Sequence, residues 1–144
     1  MQRVTVSVML IVALAFSVVA TQAASISSDT SISLKFRPGH NRIVREGFFS
    51  NNGRMESDYV FKARAGQRLK IDLEEIAPRG HNADDTLVTM YHITFPSGKA
   101  YGMKGYDPFD GRLTETGVYH VTVQVNTMAS EGNSGRYRLT LVRL

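Results

Sequence analysis

Five segments of this chain alternate apolar and polar residues with a period of two. In RLKIDLE the apolar parity holds Leu69, Ile71 and Leu73, and the same pattern recurs in ISLKF, DYVFKA, VYHVTVQV and RYRLTLVR. Because successive side chains of a β-strand point to opposite faces, this period predicts strands with one buried face and one solvated face. No segment longer than a turn has a helical period, so the chain is predicted to be built from strands.

The segment TLVTMYHITF, residues 86–95, differs because it is apolar on both parities. A strand that is covered on both faces, or a central strand of a sandwich, has this pattern. Shorter strands are predicted around 100–103 and 112–114, with turns at Ala65-Gly66 and at 96–99. About seven to nine short strands separated by turns predict an all-β fold, an antiparallel β-sandwich, and leave a closed barrel as the alternative.

The first 23 residues have the layout of a secretory signal peptide. Arg3 precedes an apolar run, and Thr21-Gln22-Ala23 places small residues at positions −3 and −1 of a cleavage site. An uncleaved N-terminal anchor is the alternative. We expect residues 1–23 to be removed and residues 24–144 to form a single β-sandwich domain that is periplasmic or secreted. No later segment of the sequence is long and apolar enough to span a bilayer.

Composition excludes disulfide bonds and bears on the class of partner. The chain contains no cysteine, so an exported domain must be held by packing and strand ladders without disulfides. The formal net charge is +4, from 17 Lys and Arg against 13 Asp and Glu, and the cations are scattered along the sequence. This mild excess suits an envelope protein among anionic glycans and lipids and gives little support for a nucleic-acid partner.

Residues that could carry catalysis or bind a metal lack a useful spacing. The four histidines stand at 40, 81, 92 and 120, with none two or four positions from another, and no serine lies in a G-x-S-x-G elbow. His92 and His120 fall on outward strand positions, where a solvated side chain is usual. Asp107 and Asp110 in YDPFDG are a weak calcium signal, since these dipeptides are common in turns. We therefore predict a non-enzymatic protein with no metal and no cofactor, and a site dispersed over several strands is the alternative.

Three loops are the candidates for binding a partner. The loops of a sandwich cluster at its two ends, where a rigid scaffold presents them. They are Ser50–Arg54, Lys104–Arg112 and Asn126–Arg136, and the last is long for a hairpin, which favours a function. For each loop the alternative is a solvated turn. The candidate partner-binding residues are Asn52, Arg54, Tyr106, Met128, Glu131, Asn133 and Arg136.

Three short motifs carry a resemblance to a known family. Phe36, Arg37, Gly39 and His40 fit an F-R-x-G-H pattern, Tyr59, Phe61, Ala63, Gly66 and Gln67 fit Y-x-F-x-A-x-x-G-Q, and Thr116, Gly117 and Tyr119 fit S/T-G-x-Y. In this order they resemble the periplasmic inhibitors of g-type lysozyme, which share their sandwich with the bacterial pre-peptidase C-terminal domain. The resemblance covers nearly all of the chain after residue 23.

The resemblance implies a protein that inserts loop side chains into the substrate cleft of a g-type lysozyme and does no chemistry. It also implies an aromatic residue in the loop before the Y-x-F strand and arginines in the last loop. This chain instead has Arg54 near the position of the aromatic residue, with Phe48-Phe49 earlier, and its last loop carries Met128 and Glu131 before Arg136. Contacts other than those of the family are therefore expected. The alternative function is an envelope module that binds a glycan or a protein.

Overall fold

The computed structural model describes residues 30–51, 53–76, 87–102, 108–130, 132 and 134–144. These residues form nine strands and no helix, so no helix among them could cross a membrane. The strands are β1 (Ile32–Ser33), β2 (Arg42–Phe49), β3 (Glu56–Ala63), β4 (Arg68–Ile76), β5 (Thr89–Thr94), β6 (Ala100–Gly102), β7 (Phe109–Arg112), β8 (Gly117–Val125) and β9 (Gly135–Arg143).

The strands form two sheets. One has five strands in the order β1-β3-β8-β5-β6, and the other has four in the order β2-β9-β4-β7. All neighbouring strands are antiparallel except β1 and β3, which are parallel. The predicted all-β antiparallel sandwich is confirmed, with two sheets rather than one sheet closed into a barrel.

The core lies between the inner faces of the two sheets, and it contains the apolar parity that the sequence predicts. Tyr119, Val121 and Val123 of β8 are fully buried, as are Leu139 and Leu141 of β9. The same holds for the apolar parities of β3 and β4, with Leu73 and Ala63 packed at the margin of the core. Among the described residues, every buried side-chain nitrogen or oxygen has a hydrogen-bond partner. The core is thus apolar packing with satisfied tyrosine hydroxyls.

Strand boundaries differ from the prediction in three places. β2 was not predicted at all. In ISLKF only Ile32 and Ser33 are in strand conformation, although Leu34 is buried and Phe36 packs against the core. β7 begins at Phe109, within the segment predicted as a loop up to Arg112, and the Phe109 ring packs against the core and against Tyr101 with centroids 5.7 Å apart. Phe109 is therefore a structural residue rather than part of a binding loop.

The connections gather at two ends of the sandwich. In the four-stranded sheet the strand ends Phe49 and Ile76 pair with Gly135 and Arg136 at the beginning of β9, and in the five-stranded sheet the strand end Val125 pairs with Thr89 at the beginning of β5. Glu75 of β4 is hydrogen-bonded to Thr89, so the connections after β2, β4 and β8 leave from one end of the sandwich, called here the apical end. The opposite basal end holds residues 34–41, 64–67, 95–99 and 113–116 and the end of β9. Gly66 and Gly98, at φ of 86° and 84°, make two of the predicted basal turns.

Candidate partner-binding site

The described part of the last loop is a compact turn built on Asn126. The Asn126 carbonyl accepts hydrogen bonds from the amides of Ala129, at 3.1 Å, and Ser130, at 2.9 Å, and its side-chain Oδ1 accepts one from the amide of Met128 at 3.3 Å. Asn is suited to this position because its short side chain can bond to the backbone two residues on. The turn holds Met128 at its tip, where the side chain is 97% exposed.

This turn is fixed to the segment that enters β5. The amide of Asn126 donates to the carbonyl of Val88 at 2.8 Å, and the Ser130 hydroxyl bonds both to the amide of Val88, at 2.9 Å, and to its carbonyl, at 3.2 Å. Beneath it, Oε1 of Glu75 on β4 accepts from the amide and the hydroxyl of Thr89, at 2.8 and 2.7 Å. The bonds to Val88 hold the turn on its own sheet, and the bonds from Glu75 to Thr89 tie the two sheets together beneath it. Met128 therefore projects from an ordered base, at a small conformational entropy cost on binding.

Arg54 lies on the neighbouring loop and is exposed. Its Nη2 donates to the hydroxyl of Thr30 at 3.1 Å, which places the guanidinium beside the segment that leads into β1. A guanidinium has five donors in a planar fork, and one neutral hydrogen bond leaves most of that capacity for a carboxylate. Arg54 can therefore supply a directed cation at the apical end.

Arg136 belongs to β9 and is held by an acidic partner. Its Nη2 lies 2.6 Å from Oε2 of Glu46 on β2, while Arg138 lies 2.9 Å from Oε1 of Glu46 and 3.6 Å from Glu74 on β4. The hydrogen bond from Arg138, with the charge of Arg136, lowers the pKa of Glu46 below its ordinary value. Exposed pairs of this kind add little stability, but a network of them fixes the orientation of both guanidinium groups.

An exposed aromatic residue flanks this network. Phe48 is the ladder partner of Arg136 on one side, as Ile76 is on the other, and all three side chains lie on the outer face of the four-stranded sheet. Phe48 is 62% exposed, so the strip presents a large apolar ring to solvent beside Arg136. Aromatic residues and arginine are enriched at protein interfaces, and they contribute most to the binding free energy when the interface buries them. This strip is thus continuous with the apical end in position and suited to the same partner.

Three of the seven predicted residues are therefore placed at one end of the molecule. Arg54, Met128 and Arg136 lie at or beside the apical end, on different strands or loops. Asn52, Glu131 and Asn133 belong to the same two loops but lie outside the described residues, as does Tyr106. In the sequence, the segment that contains Tyr106 joins β6 to β7.

Phe48, Glu46 and Arg138 were not chosen from the sequence. Glu46 and Arg136 are 90 positions apart in the chain, so the ladder alone brings them together. The signal that could have identified Phe48 is its place outside any apolar alternation, in a run of two phenylalanines of which one parity must be exposed in a strand.

Within the described ranges, no three His, Cys, Asp or Glu residues are grouped closely enough to hold a metal ion. His92 and His120 are on the outer face as expected, but His120 is not merely solvated. Its Nδ1 lies 2.9 Å from Oδ2 of Asp58, whose Oδ1 accepts from the hydroxyl of Thr122 at 3.2 Å. This arrangement cross-links β3 and β8 on their solvent face.

The described residues thus define a two-sheet antiparallel sandwich with an ordered end that presents an exposed methionine and exposed arginines. Among solved structures, the chain is similar to PliG of Aeromonas hydrophila, a periplasmic inhibitor of g-type lysozyme, with a TM-score of 0.56 and 16% identity over 80% of this chain and 96% of that one. PliG of Salmonella Typhimurium is similar with a TM-score of 0.51 and 15% identity, over 79% and 97% of the two chains.

The pre-peptidase C-terminal domain of a Bacillus anthracis collagenase is similar with a TM-score of 0.50 and 13% identity, over 77% of this chain and 93% of that domain. At these identities the similarity shows the fold, and it confirms at that level the resemblance read from the sequence motifs. No family model matches the sequence, and neither does any curated protein.

Proposed function

We propose that this protein is an exported, non-enzymatic inhibitor that binds a g-type lysozyme and blocks its active-site cleft with the apical end. The observation that carries the proposal is the placement of Met128 and Arg54 on adjacent loops at one end of a sandwich whose solved neighbours are periplasmic inhibitors of g-type lysozyme. In this proposal residues 1–23 direct export and are removed, and the inhibitor acts in the periplasm or outside the cell.

The chemistry of the apical end suits an enzyme cleft that works with carboxylates. Glycosidases place acidic side chains on both sides of the scissile bond, and an arginine can bond such a carboxylate with two parallel hydrogen bonds. Arg54 has donors to spare for this role, whereas Arg136 would have to share its guanidinium with Glu46. An exposed Met128 adds an adaptable apolar contact that gains from burial in a groove.

A lysis assay tests the proposal directly. Purified protein is mixed with a g-type lysozyme and with a c-type lysozyme, and the clearing of a cell-wall suspension is followed at several molar ratios. We expect the g-type enzyme to be slowed and the c-type enzyme to be unaffected. No slowing of the g-type enzyme at several-fold molar excess refutes the proposal, and retention of the protein on peptidoglycan without lysozyme then supports the envelope module instead.

Export is tested separately from inhibition. Mass spectrometry of the protein recovered from the periplasm or the medium of an expressing cell measures its N-terminus. We expect a chain that begins at residue 24. A recovered chain that still carries residues 1–23 contradicts the proposed cleavage and leaves the lysis assay to decide inhibition.

A further inference from the structure

The described charges are strongly divided between the two ends of the sandwich. The basal turns, the strand positions within three residues of them and the end of β9 hold ten cations, which are Lys35, Arg37, Arg42, Lys62, Arg64, Arg68, Lys70, Lys99, Arg112 and Arg143. The same region holds two acidic residues, Asp110 and Glu115. The remaining described residues hold four cations and six acidic residues, so the mild net charge of the whole chain conceals a cationic basal end.

Most of the basal cations are not neutralised within the fold. Among the described residues at this end, Arg68 alone forms an ion pair, with Asp110 at 3.0 Å. Arg112 and Arg143 donate to the backbone carbonyls of Gly66 and His40, which are neutral partners. A surface that keeps this many unpaired cations on one side repels itself, and it attracts an extended anion more than a single small one.

An apolar groove opens in the same region. It has a volume of about 540 Å³ and runs along the segment that leads from β1 toward β2, where Phe36, Val60 and Val118 form its apolar wall. Lys35, Lys62 and Arg143 also line it, and the Arg143 guanidinium is held 4.3 Å from the centroid of the Phe36 ring. Val118 is 41% exposed although it is a β-branched residue of a central strand. The groove is of the size that holds a small ligand or part of a chain.

We propose that the basal end is a docking surface for an anionic phospholipid bilayer, with the apolar groove receiving part of a lipid chain or glycerol backbone. Unpaired lysines and arginines bind the phosphates, and each cation near an anionic membrane raises partitioning by about a factor of five. A purely polar polyanion would leave the apolar groove unfilled. The unpaired cations and the groove together therefore favour a lipid surface over a soluble polysaccharide or a nucleic acid. Docking through the basal end leaves the apical end pointing away from the membrane.

Vesicle flotation tests this surface with matched variants. The protein recovered from an exporting host is mixed with vesicles of phosphatidylcholine alone and with vesicles that contain phosphatidylglycerol as well. In Lys35→Glu/Lys62→Glu two charges that line the groove are reversed, while Arg45→Glu/Arg54→Glu makes the same change in net charge away from the basal end. The N-terminal segment is the same in all of these proteins, so it does not affect the comparison, and thermal melting checks that each variant folds.

We expect binding to the anionic vesicles, binding at least tenfold weaker to phosphatidylcholine, and a loss of about 25-fold or more in Lys35→Glu/Lys62→Glu while Arg45→Glu/Arg54→Glu stays within about threefold of the parent. Equal binding to both kinds of vesicle, or equal loss in both double variants, overturns the proposal. Val118→Asn tests the groove and should weaken vesicle binding severalfold without changing retention on immobilised polyphosphate. An unchanged vesicle affinity in Val118→Asn means that the surface binds polyanions in general and overturns the assignment to lipid.

Discussion

The hydroxyl groups of Tyr59 and Tyr137 form a hydrogen bond of 2.8 Å in the buried core, between β3 of one sheet and β9 of the other. The two residues are 78 positions apart, and both are almost fully buried. Burial, and then this hydrogen bond, raises the pKa of Tyr59 above its ordinary value. The bond satisfies two polar groups that would otherwise be stranded between apolar faces.

Removing both of these hydroxyls should therefore cost less than the sum of the costs of removing each one alone. Tyr59→Phe or Tyr137→Phe leaves the other hydroxyl without its partner, and we expect each to lower the free energy of unfolding by about 1–3 kcal/mol. In the double variant no buried hydroxyl remains unpaired, so its loss should be clearly smaller than the sum of the two single losses. Urea unfolding of the four proteins measures the coupling, and strictly additive losses would contradict the pairing.

Gly47 is required by the same tyrosine. It is the ladder partner of Tyr137, and a Cβ atom at this position would overlap the phenol ring. We expect Gly47→Ala to lower the free energy of unfolding by about 1–3 kcal/mol or more. The Tyr137 ring is fully buried, stacked on Phe49 and hydrogen-bonded to Tyr59, so moving it aside breaks these contacts. Gly102→Ala is the control, since a Cβ there meets nothing within 4 Å. Urea midpoints that fall equally in the two variants would show that Gly47 is not limited by the ring.

Gly47 also explains why β2 could not be predicted while its neighbours could. The strands β4, β8 and β9 each carry a run of three or four apolar residues on the inward parity, such as Leu69, Ile71 and Leu73 of β4, and both edges of each strand are paired. In β2 the inward parity reads Ile43, Arg45, Gly47 and Phe49. The Tyr137 ring occupies the space that a side chain at position 47 would fill. β2 is also at the edge of its sheet, where a charged side chain such as that of Arg45 can reach solvent. Two of the four inward positions of β2 are therefore not apolar, so the sequence lacks the alternation from which a strand is predicted.

The candidate site was predictable to a similar extent. Arg54 and Met128 follow from loop position and residue type, which the sequence contains. The pairing of Arg136 with Glu46 and the exposure of Phe48 depend on the β2–β9 register, and a strand that is not predicted has no register. The charge division between the apical and basal ends is hidden for the same reason, because cations from five separate stretches of the sequence (35–42, 62–70, 99, 112 and 143) meet only when the strand directions are known.

Alkaline pH should destabilise the fold through its buried tyrosines. Burial raises the pKa of Tyr91 to about 12 and also raises the pKa of Tyr119 above its ordinary value. An unfolded chain releases these protons near pH 10, so above that pH the unfolded state binds fewer protons than the native state, and stability falls until the folded groups titrate as well. We expect the melting temperature to be flat near pH 8–9 and to fall between about pH 10 and 12. Tyr91→Phe should reduce this slope, and an identical slope in the variant would contradict the assignment.

Acid pH should act through Glu46. Because its pKa is lowered by Arg138 and Arg136, the carboxylate stabilises the folded state above its ordinary pKa of 4.5, and this contribution is lost as the pH falls through the lower pKa of the folded state. Glu46→Gln should therefore show a weaker loss of stability in acid than the parent does. Melting curves at low and high salt measure the difference, which should shrink in high salt because the pairs are exposed. A parent and variant with the same acid dependence at low salt would rule out this role.

Inhibition of a g-type lysozyme should depend on the apical end and not on the basal end. Met128→Asp places a charge at the tip of the ordered turn, and we expect it to weaken inhibition about tenfold or more, as is usual for a central apolar contact that is replaced by a charge. Arg54→Ala should weaken it by a similar factor if the guanidinium bonds a cleft carboxylate.

Val118→Asp is the matched control, because Val118 is an exposed apolar residue at the basal end. Inhibition constants are measured beside melting temperatures, since Met128 is almost fully exposed and its replacement should leave stability unchanged. Equal inhibition by the parent and Met128→Asp, with both proteins folded, would remove this turn from the interface.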